Sequence, residues 1–287
     1  MTIRLVGLVD FPLYVRAAPF AYAPQSHQSG NYLNRNRWVF NDRGLGVATP
    51  CRPGDRTDIL LIGNSVVMGG NPYDQDAKLP SQLQVRMGMN CRVWPVAAGG
   101  WTTINELGYL EGNLDIVNAA DFFVWQLVPG QLEGSNPWLG ETVHPTHAPR
   151  WATAYVAKKA FSHLVEPSPV VADTSNDNLQ HSFRRFDQML QRLTVQRKDA
   201  IRGALVIYPA RHQLAAARQG REWMGDRSEY MRLAATHGLV FLDVAASDRW
   251  TENLYRDRMH PTAQGNAMLA DIVATALRTS MQTLGCS

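Results

Sequence analysis

Five short and largely apolar runs constrain the fold of this chain more than any other feature of its sequence. Their apolar residues are continuous, whereas a half-buried strand alternates apolar and polar positions. Continuous apolarity is typical of strands covered on both faces, as in a parallel sheet. We therefore predict five buried parallel strands, at residues 58–63, 92–97, 121–127, 203–208 and 239–244.

Helical patterns separate these runs. In the clearest of them, apolar residues recur every three or four positions, which places them on one helix face; they are Leu179, Phe183, Phe186, Leu190 and Leu193. Strand and helix alternate along the chain. This alternation predicts a doubly wound α/β fold, with a five-stranded parallel sheet between two helical layers in a flavodoxin-like three-layer sandwich.

Two regions fall outside the alternation. Residues 1–57 are rich in Asn, Arg, Pro and aromatic residues without a clear period, and we expect this N-terminal extension to wrap a domain formed by residues 58–280. Residues 128–174 form a long insertion after the third predicted strand. Insertions of this length in compact enzymes are commonly lids or binding loops. Residues 281–287 are expected to form a frayed tail.

The composition excludes several classes of protein. Only 18% of the 287 residues are charged and the net charge is +3, which disfavours a dedicated nucleic-acid binder. Hydrophobic residues make up 45% of the chain, enough for a sizeable core. No apolar run reaches the roughly 18 residues of a transmembrane helix. Residues 1–15 lack the uninterrupted apolar segment of a signal peptide.

The first predicted strand runs directly into Gly63-Asn64-Ser65. Ligands of open α/β sheets bind beyond the carboxyl ends of the strands, so a serine at this turn would present its hydroxyl where a substrate lies. The alternative is that Ser65 only caps the following helix. Val67 stands at the second glycine position of a G-x-S-x-G elbow, which disfavours an α/β-hydrolase.

A second candidate segment, Asp257-Arg258-Met259-His260-Pro261, follows the fifth predicted strand. An Asp three residues before a His can fold back to accept its Nδ1–H, which leaves Nε2 free to take a proton from a serine hydroxyl. The alternative is an ordinary surface turn before the last helix. Because the segment follows a strand, it is predicted to face the same crevice as Ser65.

A third segment, Ala98-Gly99-Gly100-Trp101-Thr102, follows the second predicted strand. With the two segments above, it resembles the motif blocks of the SGNH (GDSL-type) hydrolase superfamily. The resemblance covers roughly residues 55–280, with Asn64 where the common form has Asp. It implies the α/β fold already predicted, and it implies ester chemistry that needs neither a metal nor an organic cofactor.

The resemblance also assigns roles to individual residues. Ser65 would be the nucleophile, His260 the general base, and Asp257 the group that orients the imidazole. The backbone N–H groups of Ser65 and Gly100 would bind the oxyanion. The acyl group would then pass to water in an esterase, or to a sugar hydroxyl in an O-acetyltransferase.

The chain departs from the family at the third block, which normally places G-x-N-D after the third strand. Here that stretch reads Leu127-Val128-Pro129-Gly130-Gln131, and the expected Asn position falls on Gly130. Gln131 or Asn64 could replace the missing donor, or the oxyanion hole could use two backbone donors. The loss of one donor costs about 2.7–4 kcal/mol of transition-state stabilisation.

Three further side chains are candidates for substrate binding. We expect Trp101 to line the acyl pocket, Trp138 to stack on a sugar, and Arg211 to contact a polar substrate group. The alternatives are packing roles for the two tryptophans and a solvated position for Arg211. His144 and His147 could hold a metal at this spacing, but few acidic residues lie nearby, and no metal site is assigned.

The substrate is predicted to be an acyl ester, with an acetyl group on a carbohydrate as the favoured case. This prediction follows from the Trp-bearing loops and the extension, which resemble those of bacterial SGNH proteins of polysaccharide acetylation or deacetylation. A non-catalytic glycan-binding module is the alternative from another class. A lipid or thioester hydrolase would need a long apolar groove, whereas the insertion is polar and Pro-rich. The oligomeric state stays open.

The cysteines bear on the compartment. Cys51 and Cys91 lie before the first two predicted strands, which are neighbours in such a sheet, and a disulfide between them is the candidate pairing. A bridge would favour the periplasm or secretion, and unpaired thiols would favour the cytoplasm. Cys286 falls in the predicted tail.

Overall fold

The computed structural model describes residues 6–52, 54, 56–164, 176–195 and 203–286. The N-terminal region contains two antiparallel hairpins that the sequence pattern did not predict, because their strands are short and lack a clear alternation. Their strands are β1 (Tyr14–Ala17), β2 (Ala21–Pro24), β3 (Gln28–Tyr32) and β4 (Asn36–Phe40).

The central sheet has five parallel strands in the order β6-β5-β7-β8-β9. Its strands are β5 (Thr57–Gly63), β6 (Cys91–Ala97), β7 (Phe122–Leu127), β8 (Gly203–Ile207) and β9 (Val240–Asp243). Each lies within one residue of its predicted bounds at either end, and the predicted parallel α/β sheet is confirmed. Strands β6 and β7 lie on opposite sides of β5, so the strand order reverses there. The carboxyl end of β5 is therefore a topological switch point.

Nine helices are seen in the described ranges: α1 (Ser65–Met68), α2 (Leu79–Met87), α3 (Thr103–Gly112), α4 (Leu114–Ala119), α5 (Ala152–Leu164), α6 (Asn176–Val195), α7 (Arg211–Arg218), α8 (Arg227–Thr236) and α9 (Ala263–Thr283). None of these helices combines the length and apolarity that crossing a membrane requires.

Two apolar clusters, one on each face of the sheet, make the three layers. Along β5, Leu60 and Ile62 belong to the cluster that includes α3, α6 and α8, while Ile59 and Leu61 belong to the cluster that includes α2 and α9. Both faces of the strand are therefore buried. This is why its sequence is continuously apolar.

The N-terminal extension contributes to the first of these clusters. Tyr22 is fully buried, and its carbonyl accepts a hydrogen bond of 2.8 Å from the indole of Trp101. Phe20 packs edge-on against Trp101 and Tyr109. Hairpin β1–β2 is thus held by contacts with the segments that follow β6.

The insertion after β7 also contacts the extension. The Tyr14 N–H donates to the carbonyl of Pro145 at 2.8 Å, and Gln25 donates to the carbonyl of Thr146 at 2.7 Å. The insertion carries α5, a helix absent from our sequence prediction. Residues 165–174 of the predicted insertion lie outside the described residues.

The predicted disulfide is wrong. Cys91 is bonded to Cys286, with Cα atoms 5.6 Å apart, and Cys51 is a half-buried free thiol whose pKa is raised by burial to about 11. The reason lies in α9, which continues to Thr283 and brings the end of the chain to the start of β6. Cys286 is only 3% exposed, so the expected frayed tail is wrong for residues 281–286.

Candidate active site

Ser65 begins α1 directly after β5. Asn64 caps this helix by accepting a hydrogen bond of 2.9 Å from the Val66 N–H. The turn is tight, since a Cβ on Gly63 would lie 2.5 Å from the Val67 side chain and 2.8 Å from Gln126 Oε1. A side chain at position 63 would therefore displace the turn that presents Ser65 at the carboxyl edge of the sheet.

The segment from Asp257 to His260 folds back on itself between β9 and α9. One oxygen of the Asp257 carboxylate accepts hydrogen bonds from the backbone N–H groups of Met259 (2.9 Å) and His260 (2.8 Å). The loop is braced from outside by the hydroxyl of Tyr208, which donates to the Met259 carbonyl at 2.7 Å. The hydroxyl of Tyr73 donates to the Pro261 carbonyl at 2.8 Å and holds the loop in the same way.

These two segments meet. His260 Nε2 lies 2.9 Å from Ser65 Oγ, and His260 Nδ1 lies 2.9 Å and 3.0 Å from the two oxygens of Asp257. With Asp257 as acceptor, the imidazole carries its proton on Nδ1, and Nε2 faces the hydroxyl as a base. This arrangement can activate a serine hydroxyl for attack on an electrophile.

The Asp257 carboxylate stays ionised at this position. Its partial burial alone would raise its pKa, but hydrogen bonds from the backbone N–H groups of His260 and Met259 and from the His260 ring outweigh that effect. They hold the pKa of Asp257 well below its usual range. Arg256 also pairs with this carboxylate at 3.1 Å. A fixed negative charge therefore lies beside the ring that would become positive during catalysis.

The backbone N–H groups of Ser65 and Gly100 have no acceptor among the described residues. Gly100 follows β6 and adopts a φ of +79°, in the left-handed region that glycine tolerates best. Donors without an internal partner at the edge of a cleft are suited to a developing oxyanion.

Gln131 also lies beside the serine turn. Its Oε1 accepts a hydrogen bond of 2.9 Å from Asn64 Nδ2, so the side chain that caps α1 also fixes the amide of Gln131. Within the described part of the chain, no acceptor is found for Gln131 Nε2. Asn64 and Gln131, which the sequence analysis considered as replacements for the family's Asn, are therefore hydrogen-bonded to each other.

A cavity of about 130 Å³ opens beside Ser65. Its wall on the sheet side includes Met68 and Gly99. The opposite wall is built from the extension and the insertion, by Phe11, Pro12, Tyr14, Val143, Pro145, Tyr155 and Lys159. Phe11 and Tyr155 are in ring contact, with centroids 5.2 Å apart. A larger groove of about 730 Å³ lies elsewhere and includes none of the triad residues.

The structure places the three predicted substrate contacts away from this cavity. Trp101 is 2% exposed and packs in the core, so the expectation that it lines the acyl pocket is wrong. Trp138 donates to the His144 carbonyl at 3.0 Å and lies under the Arg16 guanidinium. Arg211 is half exposed and its guanidinium lies 3.4 Å from Glu252.

The residues that the sequence reasoning missed are those on the far wall of the cavity. Tyr14 and Tyr155 come from regions where no periodic pattern indicated structure. The one available signal was the density of aromatic residues in an extension without period, which is typical of a segment that packs onto a core. His144, for which the sequence favoured a loop role over a metal site, is 3% exposed and stacks on Tyr22.

Among known proteins, the chain is similar to several solved structures. No family model matches the chain, and no curated protein matches it. Similar solved structures include TesA (15% identity, TM-score 0.48) and a carbohydrate acetylesterase family member from Sinorhizobium meliloti (15%, 0.47). A third is the psychrotrophic esterase EstA from Pseudoalteromonas sp. (12%, 0.47).

These similarities cover 78% of this chain for TesA and 79% for the other two, and 99% of each matched chain. With identities of 12–15% and TM-scores below 0.5, they decide neither the activity nor the substrate. Both have to be inferred from the site itself.

Proposed function

We propose that the chain is an SGNH-type serine esterase that hydrolyses short acyl esters through Ser65, His260 and Asp257. The observation that carries the proposal is the continuous chain of contacts of 2.9 Å from Ser65 Oγ to His260 Nε2 and from His260 Nδ1 to Asp257. A serine that merely capped a helix would not need a histidine oriented by a carboxylate.

In the first step, Ser65 Oγ attacks the ester carbonyl carbon and its proton passes to His260 Nε2. Asp257 stabilises the imidazolium that forms. The tetrahedral intermediate then collapses, the bond to the alcohol oxygen breaks, and His260 returns the proton to that oxygen. The alcohol leaves and the acyl group remains as an ester on Ser65.

In the second step, water takes the place of the alcohol. The water oxygen attacks the acyl carbon while His260 accepts a proton from the water. His260 then gives this proton to Ser65 Oγ when the bond between the acyl carbon and Ser65 Oγ breaks. The products are a carboxylic acid and the free enzyme. Each step uses His260 first as base and then as acid.

The negative oxygen of each intermediate would be bound by the N–H groups of Ser65 and Gly100, with Gln131 Nε2 as a third donor. The hydrogen bond from Asn64 fixes the Gln131 amide beside the serine turn and leaves its Nε2 without an acceptor among the described residues. In acyl transfer, electrostatic stabilisation of this kind commonly lowers the barrier more than any other single effect.

The cavity supports a short acyl group, of which acetyl is the simplest. A space of about 130 Å³ bounded by Met68, Tyr14 and Phe11 is well below the roughly 300 Å³ at which drug-sized ligand pockets begin. We propose a carbohydrate as the alcohol part of the ester, because the Trp-bearing loops and the extension resemble those of bacterial SGNH proteins of polysaccharide acetylation or deacetylation. Trp101 itself lies in the core and gives this proposal no support.

The disulfide supports an oxidising compartment. Cys91 and Cys286 are joined across nearly the whole domain, with a sequence separation of 195 residues. Structural disulfides persist in the periplasm or outside the cell and are rare in the cytosol of mesophiles. We therefore propose that the protein works in such a space.

Labelling with a fluorophosphonate probe tests the proposed nucleophile. We expect the wild-type protein to react at Ser65, as mapped by mass spectrometry of the labelled peptide, and Ser65→Ala to abolish labelling. Ser228→Ala is the matched control, because Ser228 lies in the first turn of α8, away from the triad. Release of acetate from p-nitrophenyl acetate should follow the same pattern.

Absence of both labelling and acetate release in the folded wild-type protein would contradict the proposal and leave a non-catalytic binding module as the better account. Labelling with transfer of acetyl to an added sugar, in preference to water, would instead identify an O-acetyltransferase with the same nucleophile.

A further inference from the structure

Two side chains meet the carbonyl oxygen of Gly99, at the turn after β6. The hydroxyl of Tyr22, from hairpin β1–β2, donates to it at 2.9 Å. The ring of His144, from the insertion, lies against the same carbonyl, a contact that opposes the lowering of its pKa by burial. The extension and the insertion thus meet at one peptide group of the candidate oxyanion hole.

The His144 ring is held in the tautomer that donation to this carbonyl requires. Its Nδ1 accepts a hydrogen bond of 3.1 Å from the Leu139 N–H, so the ring proton lies on Nε2. The ring stacks on Tyr22 with centroids 3.8 Å apart. Burial lowers the pKa of His144 to about 4, which keeps the ring neutral near neutral pH.

The geometry of a trans peptide links this carbonyl to the donor on its other side. The C=O of Gly99 and the N–H of Gly100 belong to one planar group and point in opposite directions. A hydrogen bond that holds the carbonyl towards Tyr22 and His144 therefore turns the N–H away from them. That N–H has no acceptor among the described residues.

The next peptide is held as well. Asn136 Nδ2 donates to the Gly100 carbonyl at 2.6 Å, so both peptide groups that flank Gly100 are fixed by side chains from outside the sheet. A Cβ on Gly100 would lie 3.0 Å from the Tyr22 hydroxyl. The close approach of the tyrosine thus leaves little room for any residue other than glycine.

We propose that Tyr22 and His144 are positioning residues that clamp the Gly99 carbonyl and thereby aim the Gly100 N–H at the oxyanion. This role rests on the proposed esterase function. Consecutive glycines are the most flexible dipeptide, and a rotation of this peptide would turn the donor out of the hole. Oxyanion donors stabilise the transition state best when they are already oriented before charge develops.

Single and double variants test the clamp. Tyr22→Phe and His144→Phe each remove one donor and keep an aromatic ring. We expect kcat for p-nitrophenyl acetate to fall about 10-fold in each, with KM unchanged within about twofold. Because the second contact still holds the carbonyl in each single variant, the double variant should lose more than the roughly 100-fold product of the two, up to the roughly 1000-fold cost of a lost oxyanion donor.

Two readouts separate positioning from packing. Methylboronic acid, which forms a tetrahedral adduct with an active serine, should lose affinity in step with kcat/KM across the variants. His144→Gln places an amide donor near the position of Nε2 but loses the stacked ring. We expect it to be more active than His144→Phe, whereas a packing role predicts the reverse order.

Tyr109→Phe is the control, since Tyr109 is a buried tyrosine whose hydroxyl donates to the Arg43 carbonyl, remote from the triad. Thermal unfolding of each variant shows whether it folds. The clamp is overturned if folded Tyr22→Phe and the double variant turn over like Tyr109→Phe, or if the losses appear in KM alone. A wild-type protein without Ser65-dependent turnover overturns the proposed function, and the clamp with it.

Discussion

The two sides of the cleft are built in different ways. On the sheet side, the reacting side chains are oriented by hydrogen bonds between residues two or three positions apart. Examples are the bond between Asp257 and the His260 N–H and the cap that Asn64 forms on Val66. On the opposite side, the contacts span long stretches of chain. Tyr22 reaches Gly99, and Tyr14 reaches Pro145.

This difference indicates a division of work. Local loops at the carboxyl edge of the sheet orient the reacting groups, while long-range packing of the extension against the insertion shapes the cavity. Changes on the sheet side should therefore alter the chemical step. Changes at the cavity wall of the covering side should alter which acyl groups enter, whereas Tyr22 and His144 act on the chemical step through the Gly99 carbonyl.

The largest effect is expected at the base. His260→Ala should lower kcat for p-nitrophenyl acetate by about 10⁴-fold or more, because His260 takes the proton from Ser65. Asp257→Ala should leave measurable turnover, because Asp257 only orients the ring. Exposed His212 in α7 provides the control variant His212→Ala. Equal turnover in wild type and His260→Ala would refute the assignment.

The disulfide lies at the amino edge of the sheet, away from both sides of the cleft. Cys286→Ser should lower the free energy of unfolding by about 2–5 kcal/mol, because the bridge no longer restricts the unfolded chain, and should leave acyl preference unchanged. Urea denaturation measures the loss, with Cys51→Ser as the control for a thiol outside the bridge. A wild-type unfolding midpoint that does not respond to reductant would contradict this prediction.

The covering side should respond through specificity. Tyr155→Ala removes part of the cavity wall. We expect the ratio of the rates on butyrate and acetate esters to rise about 10-fold, which is the range of discrimination that one methylene gives in an apolar pocket. The kcat for acetate should change little. Steady-state rates on p-nitrophenyl acetate, butyrate and octanoate measure the shift. Phe161→Ala, an exposed aromatic in the same helix, is the control.

If Tyr155→Ala instead abolished acetate turnover and left the chain-length preference unchanged, the division between the two sides of the cleft would be wrong. A wild-type preference for octanoate over acetate would also contradict the short acyl group that we propose.

The smallest effect is expected at Glu106, a buried acid on the side of α3 that faces the sheet. Burial raises the pKa of Glu106 to about 8 from its usual 4.5, although a hydrogen bond from Trp125 opposes the shift. Between those values the folded state keeps a proton that the unfolded state has lost. Stability should therefore fall as pH rises through this window.

Glu106→Gln should remove this pH dependence, so that the variant gains stability over wild type between pH 5 and pH 8 without a change in acyl preference. Melting temperatures across that range measure the effect, and Glu222→Gln serves as the control because Glu222 is exposed. Parallel curves for wild type and Glu106→Gln would show that the carboxyl is already ionised in the folded protein.

Much of the sheet side could be predicted from the sequence. The apolar residues of β5 contact both buried clusters, and a strand covered on both faces has to be apolar throughout. The Asp-x-x-His spacing likewise closes through bonds between near neighbours. Order along the chain then places the segment at the same edge as Ser65.

The covering side could not be predicted in this way. The far wall of the cavity depends on Tyr14 and Tyr155, which are brought together by packing between segments more than a hundred residues apart. Trp101 shows the same limit: its position next to Gly100 pointed to the cleft, but its indole is bonded to the Tyr22 carbonyl inside the core.

The sequence by itself determined the elements whose causes are local: five strands covered on both faces, and a histidine oriented by a carboxylate three residues before it. Only the tertiary structure decided that Cys91 pairs with Cys286, that Trp101 is buried, and that Tyr22 and His144 share one carbonyl. Burial patterns and short-range hydrogen bonds leave a period or a spacing in the sequence. Contacts between distant segments leave none, because they depend on where whole elements pack.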